Sequence, residues 1–108
     1  MSQVMIEELI QGLINIFQSR LISVILYGSV ARGTNTAESD IDIAAILKDE
    51  MTDEEKRQLI DFAVSLDLKY DRVFSVVDIN NNEFMKWQGT LPFYENVKNE
   101  GVVLWTAA

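Results

Sequence analysis

Two short apolar runs separated by a polar segment constrain the fold of this chain more than any other feature. LISVILY covers Leu21–Tyr27, and DIDIAAIL covers Asp40–Leu47 with polar side chains only at its first and third positions. Short, β-branched and nearly continuous apolar runs are typical of strands buried on both faces. The segment between them, Gly28–Ser39, is rich in Gly, Ser, Thr, Asn and Ala, which predicts a turn and a loop with a short helical turn after Ser29.

Helices and further strands are predicted around this pair. The helices are an amphipathic one over Gln3–Gln18, one opened by the capping box of Thr52 and Glu55, a short one around Phe84 and Trp87, and one that begins at Pro92 and ends before Gly101. The additional strands are Asp71–Ile79 and Val102–Trp105, with a turn at residues 80–82. This order predicts an α/β (α+β) fold over a single domain, 1–108, with a mixed sheet of about four strands flanked by helices.

The charge balance limits the partners that the chain can bind. It has 17 Asp and Glu against 9 Lys and Arg, a net charge of −8, and its basic residues are scattered singly apart from Lys56 and Arg57. A groove for a nucleic acid polymer needs clustered positive charge, and an anionic membrane repels an acidic surface. We therefore expect neither partner.

Composition also excludes several kinds of chemistry. The chain contains no cysteine and no histidine, which excludes disulfides, a cysteine nucleophile, a Ser-His-Asp triad and the usual zinc sites. Any metal must be bound by oxygen ligands. No apolar run approaches the roughly 20 residues of a membrane span, and the first residues lack the features of a signal peptide, so we expect a cytoplasmic protein.

The start of the second predicted strand carries two carboxylates on one face. Asp40 and Asp42 are two residues apart, so their side chains leave the same side of a strand while Ile41 points to the other. Two carboxylates about 5 Å apart repel by roughly 3 kcal/mol at an effective dielectric of 20. A cation should therefore lie between them, and neither Lys nor Arg occupies the intervening position.

Phosphate and metal ligands are neighbours in this pattern. Asp71 opens another predicted strand and could complete an oxygen cage of three carboxylates, which suits Mg²⁺ when phosphate oxygens and waters fill the remaining positions. Gly28 and Ser29 end the first strand, where backbone N–H groups and a hydroxyl can approach a phosphate closely. Metal beside phosphate is the arrangement that phosphoryl transfer requires.

This pattern resembles the signature of the nucleotidyltransferases of the DNA polymerase β superfamily: Gly-Ser, ten residues, then Asp-x-Asp. The flanking ARG and SDIDI look like that family over Ile22–Leu47, and the YDRVFS and LPFYENVKNEGVVLW segments look like those of its small members. The chain is most similar to the minimal nucleotidyltransferases (MNT), a small prokaryotic group often paired with a helical HEPN protein. The resemblance implies a single-domain nucleotidyltransferase fold.

The resemblance also implies roles for particular residues. Gly28 and Ser29 would hold a nucleoside triphosphate, while Asp40, Asp42 and Asp71 would be the catalytic carboxylates that hold two Mg²⁺ ions. Asp71 would also help to deprotonate the attacking hydroxyl. Asp78 is the less favoured third carboxylate because it lies at the far end of its predicted strand.

The role of Arg32 stays open at this point. It could contact a phosphate or steady the loop, but a salt bridge to Glu38 or Asp40 would explain it equally well.

The implied reaction is Mg²⁺-dependent transfer of AMP from ATP to an acceptor hydroxyl on a HEPN-type toxin partner, with this chain as the antitoxin. Two other functions remain: a binding module that neutralises a partner by occlusion, and a transferase that acts on a small-molecule hydroxyl. Because one core hosts many acceptors, the sequence leaves the acceptor, the base preference, homo-oligomer formation and the activity of the isolated chain open.

Overall fold

One mixed sheet lies between two groups of helices in the computed structural model, which describes residues 1–34, 36, 39–87 and 89–107. The helices are α1 (Gln3–Phe17), α2 (Gly28–Arg32), α3 (Asp53–Tyr70), α4 (Asn81–Trp87) and α5 (Pro92–Glu100), with a 3-10 turn at Gln18–Arg20. The strands are β1 (Leu21–Tyr27), β2 (Ile41–Leu47), β3 (Phe74–Asn80) and β4 (Val102–Thr106).

The sheet has the strand order β3-β2-β1-β4. β1 pairs antiparallel with both β2 and β4, whereas β2 pairs parallel with β3. The α3 helix supplies the crossover that a parallel pair requires. The predicted mixed sheet of four strands flanked by helices is therefore confirmed, and its connections place the end of β1 beside the start of β2.

Alternate residues of β2 face two different parts of the core. Ile41, Ile43 and Ala45 belong to the cluster that contains the buried side chains of α1 and α3. Ala44 belongs to the smaller cluster on the opposite face, together with a valine of α5. Because side chains alternate along a strand, Asp42 lies on the face of the second cluster.

The predicted start of α3 is confirmed, and the predicted start of β3 is wrong. Thr52 and Glu55 form a capping box, with the Glu55 N–H donating to the Thr52 hydroxyl at 3.1 Å. At the other end of α3, Asp71 is the C-cap in the left-handed region, at φ 52° and ψ 42°. β3 begins at Phe74 because the Asp67 carboxylate accepts from the Phe74 N–H at 2.7 Å and closes the intervening turn.

The predicted turn at residues 80–82 is also replaced by regular structure. α4 begins at Asn81, directly after β3, and the Asn80 side chain accepts from the Asn82 N–H at 2.9 Å. An Asn side chain that bonds the backbone two residues on can open a helix as readily as a loop.

No helix in the described part of the chain is long and apolar enough to cross a bilayer.

The helices α1 and α3 pack closely at Gly12. A Cβ added to Gly12 would overlap the ring of Phe62 on α3. We expect Gly12→Ala to lower the free energy of unfolding by about 1 kcal/mol, because an overpacking cost of about 1–3 kcal/mol exceeds the roughly 1 kcal/mol of helix propensity that Ala gains. Urea denaturation measures the change.

The control for that substitution is a smaller neighbour. Phe62→Leu combined with Gly12→Ala should recover part of the loss, because the smaller side chain leaves room for the methyl group. If Gly12→Ala is as stable as the wild type, the two helices are not in the described contact.

Candidate active site

The turn after β1 presents backbone donors at one edge of the sheet. Tyr27 is the extended N-cap residue of α2 and makes no side-chain capping hydrogen bond. The first N–H groups of a helix have no partner within the helix, so those of α2 can bind an anion such as a phosphate. The predicted short helical turn after Ser29 is confirmed as α2.

Gly28 lies directly against the carboxylate of Asp42. Its φ is +75°, and a Cβ at this position would overlap Asp42 Oδ2 and come within 3.1 Å of Asp42 Cγ. Tyr27 is the partner of Asp42 in the β1–β2 register, which explains why the next residue meets that side chain. Glycine is required here both for its left-handed backbone and for the close approach. The structure thus places the turn that begins α2 beside one of the two paired carboxylates.

Burial and like charge act together on Asp42. Asp40 is exposed immediately before β2, and Asp42 is half-buried as the second residue of that strand. Burial raises the pKa of Asp42 above its ordinary value, the charge of Asp40 raises it further, and the charge of Arg32 partly opposes both. Arg32 therefore supplies some of the positive charge that the sequence pattern requires near the pair.

Arg32 is held from α5. Its Nη1 donates to Glu100 Oε2 at 3.1 Å, and both side chains are well exposed. The ion pair of Arg32 is therefore with Glu100 and not with Asp40, while Glu38, the other expected partner, lies outside the described residues. An exposed pair of this kind adds little stability, so the guanidinium can exchange Glu100 for a stronger anion.

Asp71 lies in the turn before β3 and not on the strand. It is exposed, and its charge is not among those that shift the pKa of Asp42 in the described residues. The residue of β3 in register with Asp42 is Ser75, and in-register residues of a parallel pair share a face. A carboxylate from β3 beside Asp42 would therefore have to stand at position 75.

Asp78 lies on the opposite face of the sheet from Asp42. Its register partner is Ala45, which belongs to the core cluster under α1 and α3, and it lines a groove together with Lys56 of α3. Asp78 is therefore not one of the carboxylates grouped with Asp42.

Arg72 is a site residue that the sequence pattern did not indicate. Its Nη2 donates to the backbone carbonyl of Ser39 at 2.9 Å, so it reaches across from the α3–β3 turn to the residue before Asp40. A contact between a side chain and a backbone carbonyl 33 residues away leaves no periodicity or motif in the sequence.

Asp40 and Asp42 are better placed to hold a divalent cation as a pair than as part of a cage of three carboxylates with Asp71. A cation bound between Asp40 and Asp42 would remove the repulsion that raises the pKa of Asp42, and phosphate oxygens and waters are the usual further ligands of Mg²⁺. In the described part of the chain, no three His, Cys, Asp or Glu side chains are gathered as a metal site. The protein itself brings Asp42 against the turn that begins α2, with the charge of Asp40 close enough to raise the pKa of Asp42.

Comparison with known families decides the assignment of the fold. The family described as Polymerase beta, Nucleotidyltransferase matches residues 11–107, which include both the turn and the paired carboxylates. The chain belongs to this nucleotidyltransferase family.

Relatives and solved structures extend the comparison. This nucleotidyltransferase is 34% identical over 97 residues, 90% of the chain, to "Putative protein adenylyltransferase MJ0141" of Methanocaldococcus jannaschii, of which the match covers 92%.

Two solved structures share the fold. A complex of a tri-AMPylated Shewanella oneidensis HEPN toxin with an MNT antitoxin matches 99% of this chain and 74% of that one, at 21% identity and a TM-score of 0.61. Spectinomycin adenyltransferase of Enterococcus faecialis, with ATP and spectinomycin, matches 81% of this chain and 37% of that one, at 21% identity and a TM-score of 0.69.

The contact of Gly28 with Asp42 predicts an unequal effect of two glycine substitutions in this nucleotidyltransferase. Gly33 has a φ of +74°, close to the +75° of Gly28, but a Cβ there would meet nothing within 4 Å. Gly33→Ala should cost about 1–2 kcal/mol of stability, the penalty of a left-handed backbone alone. Gly28→Ala should cost at least about 1 kcal/mol more, because the methyl group also overlaps the Asp42 carboxylate.

Urea denaturation of both variants measures this difference. In a chain that already carries Asp42→Ala, Gly28→Ala should cost only the backbone penalty. Equal losses for the two single variants would contradict the described contact.

The raised pKa of Asp42 predicts a pH-dependent gain in stability for Asp42→Asn. The native state disfavours the charged carboxylate, so the stability of the wild type falls as pH rises from the ordinary value of 3.8 through the raised native pKa. At pH 7 the metal-free Asn variant should therefore have the higher melting temperature. The gap should close below about pH 3.8, where the carboxyl group is protonated in both the folded and the unfolded state.

Thermal denaturation at pH 7 and pH 3.5 in the presence of a chelator measures the gap. A variant that is less stable than the wild type at pH 7, or a gap that does not change with pH, would contradict the prediction.

Proposed function

We propose that this nucleotidyltransferase transfers AMP from ATP to a hydroxyl of a small helical HEPN-type protein, and so acts as the antitoxin of a pair. The observation that carries the proposal is the contact between Gly28 and Asp42, because it puts helix N–H groups that can bind phosphate beside a carboxylate that can bind a cation. The adenylyltransferase name of the archaeal relative supports AMP as the transferred group.

The proposed roles follow the positions of the side chains. Asp40 and Asp42 hold the divalent cations, whereas Asp71 lies in the turn before β3 and is not part of this pair. Gly28 and Ser29 bind the triphosphate through backbone N–H groups and a hydroxyl, and Arg32 neutralises phosphate charge. Two Mg²⁺ ions, when bound, would stabilise the charge on the attacking and leaving oxygens.

The proposed reaction is an in-line displacement at the α-phosphorus of ATP. The acceptor oxygen forms a bond to that phosphorus while the bond to the bridging oxygen of the β-phosphate breaks, so pyrophosphate leaves. The hydroxyl proton passes to one of the two paired carboxylates. Ser29 is not the nucleophile, because the chain has no histidine to act as its base.

Two solved structures of this fold support an acceptor site on a partner. The spectinomycin adenyltransferase binds a small molecule in a longer chain, of which this fold covers only 37%. The Shewanella oneidensis complex pairs an MNT antitoxin with an AMPylated HEPN toxin, and this fold covers 74% of the matched chain.

A non-catalytic antitoxin is the second candidate function. The net charge of −8 favours binding to a basic partner, and electrostatic complementarity can neutralise such a partner by occlusion without any transfer. The two functions differ in whether neutralisation depends on the carboxylates.

Transfer of label from ATP tests the catalytic proposal. The purified chain is incubated with ATP labelled on the α-phosphate, Mg²⁺ and the protein encoded by the adjacent gene, which we expect to be of HEPN type. Asp42→Asn should reduce labelling of that protein on the order of 100-fold or more, because it removes a proposed cation ligand. The matched control is Asp78→Asn, a substitution of the same type on the opposite face, which should label like the wild type.

The two functions give opposite results in this experiment. Label transfer by the wild type and loss of transfer in Asp42→Asn support the enzyme. Equal labelling by the wild type and Asp42→Asn, or no labelling by the wild type, rejects the enzymatic function. Neutralisation of the partner by Asp40→Asn/Asp42→Asn/Asp71→Asn without labelling favours occlusion.

A further inference from the structure

The turn between α3 and β3 is tied to the start of β2 on both sides of Asp40. Arg72 Nη2 donates to the carbonyl of Ser39 at 2.9 Å, and the Ile41 N–H donates to the carbonyl of Val73 at 2.8 Å. Ser39 and Ile41 are the chain neighbours of Asp40. The backbone that carries this exposed carboxylate is therefore held from the neighbouring turn.

The turn itself is anchored to α3. Asp71 ends the helix in a left-handed conformation, and the Phe74 N–H donates to the carboxylate of Asp67 in the last turns of the helix. Arg72 thus projects from a fixed support. On the other side of β2, the close packing of Gly28 fixes Asp42.

Ser39 and Thr36, the described residues nearest before Asp40, are joined by local hydrogen bonds. Ser39 N–H donates to the Thr36 carbonyl at 3.1 Å, and the Thr36 N–H donates to Ser39 Oγ at 2.9 Å. These two bonds shape a turn. The side chain of Arg72 adds a link from Ser39 to a turn 33 residues further along the chain.

We propose that Arg72 is a positioning residue that holds Asp40 in place to share a divalent cation with Asp42. The inference rests on the proposed function, in which these two carboxylates bind the cation. Carboxylates that repel each other separate unless the backbone restrains them, and a cation binds more weakly when its ligands must first be brought together. Outer groups that orient ligands typically change metal affinity by about 10–100-fold.

The role can be separated from a general effect on stability. Arg72 Nε is buried and has no hydrogen-bond partner among the described residues. Arg72→Met keeps the length of the apolar stem and removes this unpaired donor, which offsets part of the loss of the bond to Ser39. We therefore expect a small change in melting temperature and a much larger change in cation affinity.

Titration of the full chain with Mn²⁺ alone, followed by electron paramagnetic resonance of the free ion, tests the proposal. Arg72→Met should weaken Mn²⁺ binding about tenfold. Arg72→Lys should recover part of the affinity, because an ammonium group can also donate to the Ser39 carbonyl. Arg57→Met is the matched control: Arg57 is an exposed arginine of α3 paired with Glu54, and its loss should leave the affinity within about twofold.

The outcomes separate this inference from the function beneath it. If Asp42→Asn binds Mn²⁺ like the wild type, the proposed cation site fails. If Asp42→Asn loses binding while a folded Arg72→Met keeps it, the positioning role alone is overturned. Should Arg72→Met not fold, Arg72→Gln replaces it with the same expected loss, and if neither variant folds, Arg72 is a general structural residue and the proposal is rejected.

Discussion

The contact between Gly28 and the carboxylate of Asp42 is the constraint on which the site depends. It requires an antiparallel β1–β2 pair in the observed register, a residue without a side chain at the end of β1, and a left-handed backbone that begins α2. Each requirement fixes the direction of α2, and therefore of its free N–H groups. Burial against this turn also raises the pKa of Asp42, so the geometry that places the carboxylate makes it costly to leave charged without a cation.

Most of the fold could be predicted from the sequence because its signals are local. The bounds of β1 agree with the apolar run, and the capping box marks the start of α3. The start of β3 could not be predicted, because the residue types at Asp71 and Val73 are found in turns as well as in strands. The start of the strand is set by the hydrogen bond from the Phe74 N–H to Asp67, a contact across the turn that leaves no motif in the sequence.

The candidate site could likewise be predicted only in part. Gly28 and Asp42 form a recognisable spacing, and the structure brings them into contact. The third carboxylate was inferred from the expectation that Asp71 begins a strand, whereas the strand neighbour of Asp42 is Ser75. Arg72 acts on a backbone carbonyl, an interaction that selects no residue type at its acceptor and so leaves no motif.

The alternation of side chains between the two faces of β2 has a consequence for misfolded forms of this protein. Odd-numbered residues of the strand fill the larger core cluster, and Asp42 lies between them on the other face. A slip of the strand by one residue would turn every side chain over, burying a carboxylate among isoleucines and moving an isoleucine to the turn at Gly28. Such a chain would lose its core and its chemistry in one step. A molecule that retains the site is therefore one whose central strand has paired correctly, which couples activity to the quality of folding.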